Sequence, residues 1–320
     1  MAVPLASRAG VHRLVSAAIA APSLHNSQPW WFRSRGGELE LHLDPDRAVP
    51  VIDPRGRAMH IACGAALFNL RLAVRTAGHR PIVRTFPGSG HTLLAIVGGE
   101  PWTEPSARQR ELYAAITERR TNRNPYDRIH LPARVLNELE EAAQREGAVL
   151  RILEQPATSR LLDLIAAADN ELAENPAYRQ ELARWTTGRA RTEGIPSYAF
   201  GPRSAGRGLP MRDFGLGGFG DGGREVGGFE ERPTLGALIV DGDGPAEWLR
   251  AGQALQRVLL TATRHGVATS FLTQPLDVQE MRDPGGGHWP GRSVQMIIRF
   301  GYGPPAPASP RRPIREVLVA

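Results

Sequence analysis

Ten residues near the N-terminus, Ala21-Pro22-Ser23-Leu24-His25-Asn26-Ser27-Gln28-Pro29-Trp30, constrain the fold more than any other stretch of the chain. Pro22 and Pro29 each fix φ and remove a backbone donor. Each also pushes the residue before it out of the helical region, so the segment is neither ordinary helix nor central strand. It sits between an apolar helical run and a strand pattern. A rigid turn there points small hydroxyls and amides in one direction, which suits the edge of a flat, polar, hydrogen-bonding ligand. The plainer reading is a helix-to-strand loop that uses turn residues for turn reasons.

A length of 320 residues allows one large or two ordinary domains. Hydrophobic content of 41% and charged content of 22% are those of globular proteins. No apolar run approaches a membrane span, and Val15 to Ala21 is too short for a signal peptide, so no membrane partner is expected. Cys63 is the sole cysteine, which excludes an intramolecular disulfide and points to a cytoplasmic setting. Lysine is absent, so all 39 basic residues are Arg and the net charge is +6. They are interleaved with acids along the chain and form no basic stripe, so nucleic acid is not the expected partner. Local Arg clusters aimed at one phosphate fit better.

Periodicity predicts helix over residues 11–21, a hairpin of 31–33 with 38–43, and a strongly apolar helix over 60–77 closed by Gly78. Strands are predicted at 82–86 and 92–97, helix at 107–118 and 133–145, and strand at 149–153. Helix is predicted at 161–173 and from Pro176 to Trp185. Residues 186–230 lose all period and read as a lid or insert. Strand at 235–240, helix at 245–265, a last strand at 295–300 and a Pro-rich tail complete the chain.

The two strongest helices match. Gly64-Ala65-Ala66-Leu67 opens one and Gly252-Gln253-Ala254-Leu255 the other, and each Gly precedes a second, Gly78 or Gly266, by the same interval. Apolar residues coincide at Leu67 and Leu255, and at Leu70 and Val258. An internal repeat would produce this; so would two amphipathic helices of equal length.

Arg119-Arg120-Thr121-Asn122-Arg123 places three permanently charged, planar donors within five residues. This is either a phosphate site or a solvated charge run at a helix end. His25 reads equally as a site residue or a surface imidazole. Gly215-Leu216-Gly217-Gly218-Phe219-Gly220 fits a dinucleotide-binding pattern literally but follows no clear strand and enters no helix, so it reads as lid. His60 and Cys63 share a helical face but lack further ligands, so no metal site is expected.

Pro22-Ser23-Leu24-His25-Asn26-Ser27-Gln28-Pro29-Trp30 resembles the Pro-Ser-x-x-Asn-x-Gln-Pro-Trp hallmark of the nitroreductase-like flavoprotein superfamily, and the resemblance runs through most of the chain. It is most similar to the actinobacterial Acg-like branch. That resemblance implies an α+β fold, a three-layer α/β/α sandwich with mixed sheets, internally duplicated as a pseudo-dimer. Residues 1–105 would be the first half, with the Pro-Ser turn. Residues 106–320 would be the second, with the Arg-rich segment, the lid-like loop 186–230 and a basic tail. The Pro-Ser turn occurs only in the first half and the phosphate-binding segments only after residue 118, so the chain supplies one composite site.

The resemblance implies FMN as cofactor and NADPH or NADH as reductant. Pro22, Ser23, Leu24, Asn26 and Gln28 would meet the ring edge and ribityl chain. Arg119, Thr121 and Arg123 would take phosphate and ribityl contacts, and Arg311 would close over the phosphate. Arg120 is counted with them, its side-chain direction left open by the sequence. The family often has Lys at the position of Ser309. No catalytic side chain is assigned, because flavin N5 carries the chemistry. The implied activity passes a hydride from NAD(P)H through FMN to a small-molecule acceptor such as a nitroaromatic or quinone. Two alternatives stand beside it: an FMN-sequestering protein whose lid occludes the site, and a tailoring enzyme for one metabolite. The implied assembly is a monomer, as a fused pseudo-dimer, or a weak homodimer.

Overall fold

Two glycines let the central helices touch backbone to backbone. The computed structural model describes residues 4–88, 90–187, 191–204, 209–217, 224–278, 281–282 and 292–319. Its first part runs α1 (Arg8–Ile19), β1 (Trp30–Arg35), β2 (Glu38–Leu43), α2 (Arg57–Thr76), β3 (His79–Thr85), β4 (Leu93–Pro101) and α3 (Ala107–Glu118). Then come α4 (Ala133–Gln144), β5 (Val149–Ile152), α5 (Gln155–Glu174), α6 (Pro176–Trp185), β6 (Thr234–Asp241), α7 (Pro245–Arg264), β7 (Ala268–Phe271), β8 (Arg292–Gly301) and β9 (Leu318–Val319). A Cβ built on Gly252 of α7 would stand 2.0 Å from the Ile61 carbonyl oxygen and 2.8 Å from the Gly64 Cα of α2. One built on Gly64 would stand 2.2 Å from the Leu249 carbonyl oxygen. The matched glycines are therefore the crossing point of α2 and α7. A buried polar tie fixes the register beyond them: Gln256 Nε2 donates to Asn69 Oδ1 at 2.9 Å, and Asn69 Nδ2 donates to Ala17 O at 2.9 Å.

The fold is α+β and is built twice. The first sheet is ordered β9-β1-β2-β4-β3 and the second β7-β8-β6-β5. In each, the first two strands pair, a long helix follows, and the fourth strand inserts between the second and third: β1-β2-β4-β3 matches β5-β6-β8-β7. Helices α5 and α6 and the residues after them are inserted between β5 and β6. Both sheets gain a parallel neighbour from elsewhere: β9 beside β1, and a single bridge of Thr121 to Thr269 beside β7. The core follows the alternation of the strands. Trp30, Phe32, Leu39 and Leu41 are fully buried against α1 and α2. The second sheet has helices on both faces, with α4 and α7 on one and Leu161 and Ile165 of α5 on the other. The other face of the first sheet carries a polar cluster instead, where Glu40 accepts from Arg33 Nε at 2.7 Å and pairs with His42 at 2.8 Å.

Most predicted elements are present within a few residues, and α3 has the predicted limits because a capping box starts it: Gln109 N donates to Ser106 Oγ at 3.3 Å and Ser106 N to Gln109 Oε1 at 2.8 Å. Several short strands depart from the expectation. The final strand is β9, not residues 295–300, β7 lies where none was predicted, and within 186–230 Thr186–Thr187 pairs with Ile195–Pro196 and Arg203–Ser204 with Val226–Gly227. All are four residues or fewer and are fixed by pairing, which no local period reports. Of the lid-like stretch 186–230, residues 188–190, 205–208 and 218–223 lie outside the described residues, and with them the end of the Gly215–Gly220 pattern.

Candidate functional site

The Pro-Ser turn leaves α1 and enters β1 through an unusual backbone. His25, Asn26 and Gln28 all have positive φ, at 49°, 55° and 52°. Among the described residues only Phe86 shares this region without being glycine. Each costs on the order of 1–3 kcal/mol, and such strain persists where surrounding contacts over-determine it. Here the contacts are explicit. Gln28 N donates to Ser23 Oγ at 2.9 Å. Asn26 Nδ2 donates to Gly194 O at 3.0 Å and Pro310 O at 3.1 Å, while Asn26 Oδ1 accepts from Arg311 Nη1 at 3.0 Å. Asn26 thus ties the turn to both the lid segment and the tail. Asn26→Ala is expected to lower stability by about 2–4 kcal/mol, from several lost hydrogen bonds and an αL site that Ala tolerates poorly. Asn26→Gly, which relieves only the backbone, falls between the two in a thermal-unfolding comparison.

Two contiguous pockets meet over this turn. They share Pro22, Ser23, Thr121, Arg123 and Ile195 as a common rim. One is an apolar chamber walled by Leu24, Ile61, Leu255 and Phe271 with Met211 and Phe214 of the lid segment. The other is basic. Arg119, Arg120, Arg123 and Arg311 line it with Asn26 and Ser309, and among the described residues no carboxylate does.

The charge run is not a solvated face. Arg119 is 5% exposed, and its buried Nε and Nη1 have no hydrogen-bond partner among the described residues. Burial, with Arg311 and Arg120 nearby, pushes its guanidinium down to about 9. Burial likewise brings Arg311 to about 10, with Arg120 adding to it. Both remain charged at neutral pH, so Arg119 is a buried charge among like charges, without a counter-ion among the described side chains. A dianionic phosphate supplies what it lacks. Arg311 is otherwise well held. It donates to the Ile19, Ala20 and Ala21 carbonyls at 2.8, 3.2 and 3.1 Å, closing the C-terminal end of α1. Arg120 turns Nη1 to Thr117 O and Arg119 O.

The predicted residues therefore converge from three segments, with one exception. Gln28 lines neither pocket. It is wholly buried, donates Nε2 to Thr192 O at 2.8 Å and accepts from Arg312 N at 2.8 Å, so it braces the turn from behind. His25 is buried and faces the chamber, with Nε2 unpartnered and its ring edge-on to Phe214 at 6.0 Å. Burial, and then Arg212 and Arg123, hold its pKa well below the ordinary value, so it is neutral. Arg57, Arg212 and Asp277, which no local pattern marks, also line the chamber. Asp277 pairs with Arg212 and lies 3.6 Å from Arg57. These are single charged residues far apart in the chain: α2 brings Arg57 to Asp277, and the lid segment adds Arg212.

That segment is bound across the chamber. Arg47 pairs with Glu193, Arg123 Nη1 donates to Ala199 O at 2.8 Å, and Ile195, Phe200 and Phe214 pack with Tyr178 and Leu182 of α6. Among the described residues no group of three His, Cys, Asp or Glu is placed to hold a metal. His60 Nδ1 instead meets Gly56 O at 2.7 Å, and Cys63 Sγ donates to Pro29 O at 3.2 Å. No helix among the described residues is long and apolar enough to cross a membrane.

No family model matches the chain. Curated relatives do. A Mycobacterium tuberculosis protein provisionally named an NAD(P)H nitroreductase is 31% identical over 319 residues, covering 96% of this chain and 90% of its own. The Acg protein of Mycobacterium tuberculosis, with the same provisional name, is 32% identical over 324 residues, covering 95% and 93%. Among solved structures, the FMN- and NADPH-dependent nitroreductase NfnB of a Sphigopyxis strain aligns with a TM-score of 0.41 at 16% identity, over 65% of this chain and 98% of its own.

Proposed function

Given that the chain belongs to the nitroreductase-like superfamily, in its Acg-like branch, we propose that it is an FMN-dependent NAD(P)H oxidoreductase with a single composite flavin site. The observation that carries this is the basic pocket: four arginines and, among the described residues, no lining carboxylate and two orphaned guanidinium nitrogens, opening directly into an apolar chamber. Arg119 and Arg120 with Ser309 would hold the phosphate, Arg311 and Asn26 would fix the pocket wall, and Pro22, Ser23 and Thr121 on the shared rim would take the ribityl chain and ring edge; Arg123, over the Phe214 ring, is left to the chamber. When bound, FMN supplies two-electron chemistry: NAD(P)H gives up a hydride, and the acceptor gains that hydride and a proton from solvent. A quinone leaves as a hydroquinone; a nitro group leaves as a nitroso group and water. The chain's own part is to place the ring beneath the lid segment and exclude water from it. The duplicated topology, with β9 added to the first sheet, supports a fused pseudo-dimer; on the same reading it acts on small molecules in the cytoplasm, as a monomer or weak homodimer.

The binding of the lid segment across the chamber favours a second reading, FMN sequestration with little turnover. One experiment serves both. The purified protein is expected to be yellow, to release about one FMN per chain, and to bleach anaerobically with NADH or NADPH. Colourless protein that refuses added FMN would sink the site. One bound FMN that neither nucleotide bleaches would leave the sequestering role.

A further inference from the structure

The phosphate pocket does not account for the charge at the other end of the cleft. In the chamber, Arg57, Arg123 and Arg212 face one lining carboxylate among the described residues, Asp277. Arg57 is largely turned away, donating Nη1 to Gln295 O at 2.6 Å. Arg212, in the lid segment, is 8% exposed and is held rigidly by Asp277 and by Tyr178 Oη at 3.2 Å. Burial alone would lower its pKa, yet Tyr178, Asp277 and Asp169 keep it above the ordinary Arg value. Arg123 has no carboxylate partner among the described residues, and its guanidinium lies 4.7 Å over the Phe214 ring. Beside Phe214 stands His25, 4% exposed, with Nε2 unpartnered and facing the cavity. An aromatic wall, two guanidiniums and a buried polar atom without a partner thus share one end of an apolar chamber. Burying such a set is costly unless a ligand supplies the missing charge and hydrogen bond.

We propose that this chamber selects planar aromatic acceptors bearing an anionic group, a carboxylate or sulfonate, and that Arg212 determines that preference, with Asp277 as its positioning residue. The proposal rests on the oxidoreductase reading above. The ring would lie against Phe214, where Arg123 already stacks, and its anionic substituent would meet Arg212 and Arg123 by paired N–H donors.

The probes are 4-nitrobenzoate and 4-nitrobenzamide, which share a ring and a nitro group and differ in charge. With FMN-loaded protein and NADPH, kcat/KM is expected to favour the benzoate at least tenfold, equivalent to about 1.4 kcal/mol. The double variant Arg212→Gln/Asp277→Asn, which removes the ion pair without stranding a buried carboxylate, should bring the ratio to within twofold of unity. Equal rates in the wild type, or a preference unmoved by the double variant, would overturn the proposal while the oxidoreductase reading stands. A lower flavin midpoint potential in the double variant without any change in acceptor preference would also overturn it, assigning the guanidiniums to the reduced flavin instead. If the protein holds no flavin, that reading fails, and calorimetric binding of the two probes to wild-type protein still decides charge selection. That measurement also stands if the double variant does not fold.

Discussion

Gly252→Ala is expected to be among the most damaging single-methyl changes in the chain. The added Cβ would sit 2.0 Å from the Ile61 carbonyl oxygen and 2.8 Å from the Gly64 Cα, and both are backbone atoms of a helix that cannot swing aside. Relief requires α2 and α7 to separate along their length. Overpacking usually costs about 1–3 kcal/mol, where flexible side chains can give; here about 3 kcal/mol or more is expected, a fall in Tm of roughly 5–10 °C. The damage reaches the site, because Ile61 and Leu255, one on each helix, both line the chamber. Gly64→Ala should behave alike, with its Cβ 2.2 Å from the Leu249 carbonyl oxygen. Gly88→Ala, where nothing lies within 4 Å, should be near neutral. Thermal unfolding of the three variants checks this, and equal transitions would mean the helices do not meet at these glycines.

The same pair of glycines shows what a sequence can and cannot state about this fold. Their matched surroundings were visible as a repeat, and helical period located both helices, because apolar spacing is a local property. That the repeat marks a contact is not local. It needs two segments far apart in the chain to approach more closely than any side chain permits. The strands show the same limit. Leu39, Leu41 and Leu43 announce β2 by alternation, whereas β9 has two residues, Leu318 and Val319, and exists through pairing with Phe32 and Arg33.

At the site, residue type located the turn and the Arg segment but not the division of labour. Gln28 carries the same amide as Asn26, yet one braces the turn from behind and the other ties three segments at the pocket wall. The backbone around them takes positive φ at His25, Asn26 and Gln28, a conformation that no residue type in the turn announces. Arg119 and Arg311 likewise look alike as letters. One is buried with idle donors; the other is spent on α1 carbonyls.

That contrast makes Arg119→Met the second large effect, and one of opposite sign with and without ligand. In the ligand-free protein Arg119 is a buried cation without a partner, its pKa brought down to about 9 mainly by burial. An unfolded Arg binds its proton far more tightly. Between about 9 and the ordinary Arg value the unfolded chain therefore carries more protons, so this group adds stability as pH rises through that window and exacts its full cost at neutral pH. Methionine of similar length removes the charge and keeps the volume, so the ligand-free variant should unfold no lower, and measurably higher, than wild type at pH 7. FMN binding should show the reverse. Losing charge-assisted hydrogen bonds to phosphate, at about 1.5–3 kcal/mol, weakens affinity by roughly 10- to 100-fold. The ligand-induced rise in Tm should shrink accordingly. Arg311→Met is the control, because its guanidinium is consumed by the end of α1; it should destabilise the protein with or without FMN. Flavin-fluorescence titration and unfolding of both variants test the pair. An Arg119→Met protein that is less stable when ligand-free and binds FMN normally would mean that Arg119 is a structural residue, leaving the phosphate to be held by other groups.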